Sequence, residues 1–81
     1  MTQVILYSKP DCHLCEPVRE LILAVQKERP FEFSIRNIED DPADFEKYKH
    51  AIPVVLVHGR EIARYKMSRR QLEQALATEQ T

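Results

Sequence analysis

Residues 4–36 hold, in direct succession, the patterns of a buried strand, an amphipathic helix and a second strand, and this run leaves the chain very few packings. Val4-Ile5-Leu6-Tyr7 is a continuous apolar stretch with β-branched and aromatic members, stopped by Ser8-Lys9-Pro10-Asp11, as expected of a central strand covered on both faces. From Leu14 onward, Leu14, Val18, Leu21, Ile22 and Val25 recur at helical spacing with Arg19, Glu20, Gln26 and Lys27 between them, and Pro30 marks the stop. Phe31, Phe33 and Ile35 then alternate with Glu32, Ser34 and Arg36, which is the period of a strand with one face more buried than the other. Two strands joined through a helix run parallel, with the helix on one face in a right-handed crossover.

The remainder extends this unit. Asp41 is placed to cap a short helix that opens at Pro42, carries Phe45 and Tyr48 and ends near His50. Val54-Val55-Leu56-Val57, His58-Gly59-Arg60 and Glu61-Ile62-Ala63-Arg64-Tyr65 read as strand, turn and strand, the single glycine supplying the positive φ that a tight hairpin turn requires. Ser68 and Gln71 form a capping box ahead of a last helix with a narrow apolar stripe of Leu72, Ala75 and Leu76. The order β-α-β-α-β-β-α makes this an α/β chain. Its 81 residues suffice for one hydrophobic core, so a single domain over residues 1–81 is expected.

Small cores often need a covalent staple, and the chain has two cysteines. Cys12 and Cys15 are separated only by His13 and Leu14, and a bond between them closes too short a loop to restrict the unfolded chain much. A dithiol at the entrance of a helix suits thiol chemistry instead, because unpaired backbone N–H groups and the positive end of the helix dipole favour a thiolate. Cys12, nearer the strand, is expected to be the more exposed and to attack, with its pKa lowered; Cys15, one turn inward, is expected to resolve. Lys9 and His13 bring positive charge to that thiolate, and Asp11 and Glu16 oppose it. The other reading of Cys-x-x-Cys is half a zinc site. The pair directly follows the first strand of a βαβ unit, no second cysteine pair completes a cage, and His50 and His58 fall on separate elements, which favours redox chemistry and a chain without bound metal.

Lys and Arg number 12 against 13 Asp and Glu, mixed along the chain to a net charge of -1, so no concentrated field is present to hold a nucleic acid. No segment has the length of a membrane span, and the start lacks the pattern of a secretory signal. With one close cysteine pair, these features point to a cytoplasmic setting; a monomer is expected. Pro53 follows Ile52 and precedes an apolar strand. Local pattern alone favours a trans bond at the opening of that strand, whereas a cis bond beside a dithiol would present the Ile52 backbone to an extended substrate chain.

Taken together, Tyr7-Ser8-Lys9-Pro10-Asp11-Cys12-His13-Leu14-Cys15 and Ile52-Pro53-Val54 resemble the strand, lysine, Cys-x-x-Cys and cis-proline segments of the glutaredoxin branch of the thioredoxin superfamily, especially its small bacterial glutaredoxin-like members. The likeness covers nearly the whole chain. It implies a thioredoxin-like fold of glutaredoxin type, with a four-stranded mixed sheet, helices on both faces and a cis Pro53 packed against the dithiol. It further implies that Tyr7 and Lys9 line the glutathione groove and that the Ile52 backbone, beside Pro53, pairs with the cysteinyl unit of glutathione. His13 and Leu14 depart from the proline-aromatic pair common between the family's cysteines, and are expected to border the substrate and tune the redox potential. The function implied is thiol–disulfide exchange with protein disulfides or glutathione mixed disulfides, without a bound cofactor, with glutathione or a thioredoxin-type reductase as electron donor. Where the family carries a glycine pair and an acid before the last helix, this chain has Arg64, Lys66, Arg69 and Arg70, read as solvated charges. The rival reading is a binding module of the same fold that holds an iron–sulfur cluster or another metal and turns nothing over.

Overall fold

The computed structural model describes residues 2–79 and orders its elements as β1 (Gln3–Ser8), α1 (Cys15–Glu28), β2 (Glu32–Asn37), a 3₁₀ turn (Ile38–Asp40), α2 (Pro42–Tyr48), β3 (Val54–Val57), β4 (Arg60–Arg64) and α3 (Arg69–Glu79). The strands form one four-stranded sheet in the order β2-β1-β3-β4. β1 pairs parallel with β2, with Leu6 opposite Ile35, and antiparallel with β3, with Tyr7 opposite Val54. The expected central strand and mixed sheet are therefore present.

Strand alternation sorts the apolar residues onto the two faces of this sheet. Val4 and Leu6 of β1, Val55 and Val57 of β3, and Phe31 meet Val18, Ile22 and Val25 of α1 and Leu72 and Leu76 of α3. On the other face Tyr7 and Val54 meet Ile38, Tyr48, Ala51 and Ile52, with Ile5 and Leu56 packed against them. The first cluster is the larger, since two helices cover it.

Local chemistry fixes the ends of the helices. Asp41 caps α2, its carboxylate accepting the Ala43 amide at 2.8 Å, and Pro42 occupies the first turn, where no partner is needed for the missing N–H. α2 stops at Tyr48, two residues short of the expected His50. The capping box is reciprocal, with Ser68 N donating to Gln71 Oε1 at 2.8 Å and Gln71 N to Ser68 Oγ at 3.2 Å. Leu14, which the spacing places in the apolar stripe of α1, is instead its N-cap residue and is 61% exposed; Cys15 takes that place in the stripe, with Val18, Ile22 and Val25 following. Pro17 then falls in the first turn, whose amides have no partner within the helix, and removes no helical hydrogen bond.

In the β3–β4 hairpin, both His58 (φ 50°) and Gly59 (φ 79°) take positive φ, so the turn has two left-handed residues where the sequence points to the glycine alone. The pairing shifts between Val55 and Leu56, which face Ala63 and Glu61 and leave Ile62 as an extra residue. Such a bulge re-phases β4 and brings Glu61 and Arg64 to one side, where their side chains pair.

Candidate active site at the dithiol

β1 ends at Ser8, and the chain turns through Asp11, which adopts φ 64°, to deliver Cys12 ahead of α1. An acidic side chain of this length tolerates the left-handed region better than most. Cys15 N donates to Cys12 O at 3.3 Å and Glu16 N to His13 O at 3.4 Å, so a tight turn leads straight into the helix. Cys15 is the first residue of α1 and only 7% exposed, whereas Cys12 is partly exposed ahead of it. The two are joined as a disulfide with their Cα atoms 5.4 Å apart. No side chain caps α1, so its positive end is left to the dithiol, although Pro17 offers no amide there and Glu16 places an acid in the same turn.

The surroundings of the pair differ on its two flanks. Toward β2 lies an open recess of about 280 Å³, bounded by Leu6, Ser8 and Ile35 on the sheet, Lys9, Asp11 and His13 on the turn, and Glu16 and Arg19 on α1. Toward β3, Cys12 packs against the cluster of Tyr7, Ile38, Tyr48, Ala51, Ile52 and Val54. Tyr7 is buried and stacks on Tyr48, with ring centroids 4.6 Å apart and planes inclined by 29°. The Ile52–Pro53 bond is cis, as the family resemblance implies and contrary to the local pattern. Two hydrogen bonds hold this segment, Ala51 N to Tyr48 O at 2.8 Å and Tyr65 N to Pro53 O at 2.9 Å.

Of the residues singled out from the sequence, Lys9 and His13 border the recess, while Tyr7 and Ile52 share the cluster that supports Cys12. Leu14 projects into solvent between the cysteines, and Pro53 is fully buried at the head of β3. Ile35 and Arg19 were not foreseen here. Ile35 is 50% exposed although its alternation places it on the buried face, because it lies in the edge strand β2 where the recess opens. The basic residues from the end of β4 to the start of α3 are partly neutralised: Arg64, the last residue of β4, pairs with Glu61, and Arg69, the first of α3, joins Glu28 of α1 to Glu73. These pairs hold the Glu61 carboxyl below its ordinary range, chiefly through the hydrogen bond from Arg64, and raise Arg64 and Arg69 through the hydrogen bonds to their acids. Among the described residues, no group of three or more His, Cys, Asp or Glu side chains is placed to hold a metal ion, and no helix is long and apolar enough to cross a membrane.

The family model of the glutaredoxin-like domain (DUF836) matches residues 3–77. No curated protein matches the chain in sequence. Among solved structures, it is similar to protein Ne2328 from Nitrosomonas europaea, with TM-score 0.79, 23% identity and coverage of 90% of this chain and 88% of that one. Protein XcR50 from X. campestris gives TM-score 0.73 at 29% identity, over 93% of this chain and 96% of that one. The thioredoxin of Fasciola hepatica gives TM-score 0.65 at 22% identity, over 95% and 79% respectively, a likeness of fold alone.

Proposed function

The chain belongs to the glutaredoxin-like domain family, and from that membership we propose that it is a thiol–disulfide oxidoreductase that works on protein disulfides through Cys12 and Cys15. The observation that carries this reading is the unequal placing of two bonded sulfurs, Cys12 accessible ahead of α1 and Cys15 buried in its first turn.

In the reduced protein the Cys12 thiolate attacks one sulfur of a substrate disulfide. That bond breaks, the departing thiolate takes a proton from solvent, and a mixed disulfide joins Cys12 to the substrate. Cys15 then gives up its proton and attacks the Cys12 sulfur, so the second substrate thiolate leaves as the Cys12–Cys15 bond forms. Two electrons pass from the dithiol to the substrate. A thiol donor, either glutathione or a thioredoxin-type reductase, returns them. Lys9 and His13 border the recess beside the attacking sulfur, and Leu14 stands exposed between the two cysteines. Tyr7 and Ile52 belong to the cluster on the opposite flank, where the Ile52 backbone, just ahead of the buried Pro53, offers strand-type pairing to an extended substrate. The setting is the cytoplasm.

Turnover of a protein mixed disulfide tests the reading, measured with glutathione and, separately, with NADPH and thioredoxin reductase. Activity with either donor that disappears in Cys12→Ser supports it; no activity with both, or activity that survives the substitution, refutes it.

A further inference from the structure

Tyr48 meets the dithiol region by two routes. Its ring, 4% exposed, stacks on that of Tyr7, and Cys12 packs against the cluster these rings form with Ile38, Ala51, Ile52 and Val54. Its carbonyl accepts the Ala51 amide at 2.8 Å, which ties the end of α2 to the turn that delivers Ile52 to the same cluster. Lys47 adds an ammonium group 5.2 Å from the centroid of the Tyr48 ring. One side chain of α2 thus backs Tyr7 while its main chain anchors the approach to β3. Neither function requires the hydroxyl.

We propose that Tyr48 is a positioning residue for the exchange reaction: its stack with Tyr7 and its hold on the 48–51 turn keep the shelf beneath Cys12 and the Ile52 segment in one fixed relation. The inference rests on the exchange chemistry proposed above. In that chemistry the attacking, central and leaving sulfurs must come into line, so the Cys12 sulfur and the backbone that orients the substrate have to be held together; small misplacements at a reacting centre cost rate steeply. Packing against apolar surface also desolvates the sulfur on that side and disfavours its thiolate. A firm shelf therefore gives up some acidity and gains alignment, whereas a loosened one leaves Cys12 more solvated, more acidic and less well aimed.

The test compares Tyr48→Phe with Tyr48→Leu, each checked for fold by circular dichroism and melting. Turnover is read in the full chain, and iodoacetamide alkylation in a Cys15→Ser background where Cys12 is the sole thiol. Tyr48→Phe keeps the ring and should stay within about twofold of wild type, while Tyr48→Leu should lose roughly tenfold in kcat with a protein mixed disulfide. In the same Leu variant Cys12 should alkylate faster, and the pH midpoint of alkylation should move down. A residue that only stabilises the fold would not produce faster alkylation, a lower midpoint and slower turnover in a protein that is still folded. The proposal is overturned if folded Tyr48→Leu matches wild type in turnover and alkylation, or if Tyr48→Phe falls as far as Leu, since the hydroxyl and not the stack would then be at work. Should Tyr48→Leu fail to fold, Tyr48→Met, whose flexible chain fills irregular space, carries the same expectations. A wild type that exchanges no disulfide would defeat the catalytic reading and leave the alkylation comparison to decide Tyr48 by itself.

Discussion

Leu6 and Ile35 are partners in the parallel pairing of β1 with β2, yet Leu6 is sealed in the core while Ile35 stands half exposed at the recess beside the dithiol. The same alternation that buries one residue has no cover left for the other. Removing the Leu6 side chain to alanine should therefore cost about 2–5 kcal/mol in urea unfolding, as for other buried leucines. Ile35→Ser should change stability by no more than about 0.5 kcal/mol. If the recess takes part in docking a protein disulfide, Ile35→Ser will slow that substrate several-fold and leave a small-molecule disulfide unaffected; equal rates on both substrates would remove the recess from the docking surface.

The division of labour proposed for the cysteines predicts two different failures. Cys12→Ser leaves Cys15 buried in α1 and should react with no disulfide at a useful rate. Cys15→Ser retains the attacking thiol but lacks the one that releases the product, so a mixed disulfide with the substrate should accumulate and be visible by mass spectrometry. Accumulation on Cys15 in the Cys12→Ser protein would reverse the assignment.

Where the sequence carries a period or a local cap, the fold was legible in it: the β1–α1–β2 unit, the Asp41 cap and the Ser68–Gln71 box stand where their residues place them. Features set by tertiary packing were not. The 3₁₀ turn Ile38–Asp40 is too short to show a period, although it buries Ile38 and is capped by Asn37 accepting the Glu39 amide. Leu14 and Ile35 both follow the apolar spacing of their elements and lie just past the point where a neighbour covers them. The Tyr7–Tyr48 stack joins segments far apart in sequence, so no local signal reports it. For Pro53 the local pattern favoured the wrong isomer and the family resemblance the right one.

The Glu61–Arg64 pair gives the hairpin a small acid dependence. Arg64 Nε lies 2.5 Å from Glu61 Oε2, and that hydrogen bond lowers the Glu61 carboxyl below its ordinary 4.5. A depressed carboxyl contributes stability that is complete above the unfolded value and is lost as pH falls through the folded one. The pair is solvent-exposed, so this contribution should amount to less than about 1 kcal/mol. Unfolding of Glu61→Gln followed from pH 6 to pH 3 should show less acid destabilisation than wild type, by an amount that shrinks in high salt; parallel curves would mean that the pair contributes nothing.

Charge around the recess offers a separate handle on Cys12. Lys9, His13 and Arg19 face Asp11 and Glu16 across the same opening, so the field at the sulfur is a small difference between opposing contributions. Reversing one of them should be legible. Lys9→Glu replaces a cation that favours the thiolate with an anion that opposes it, and should raise the pH midpoint of Cys12 alkylation in the reduced protein. Glu16→Gln removes an acid from the first turn of α1, where negative charge competes with the thiolate for the helix dipole, and should lower it. Both groups are exposed, so each shift should stay within about one pH unit and contract in concentrated salt, where the screening length falls to about 3 Å. Shifts of the same sign in the two variants, or shifts indifferent to salt, would show that structure and not charge sets the acidity of Cys12.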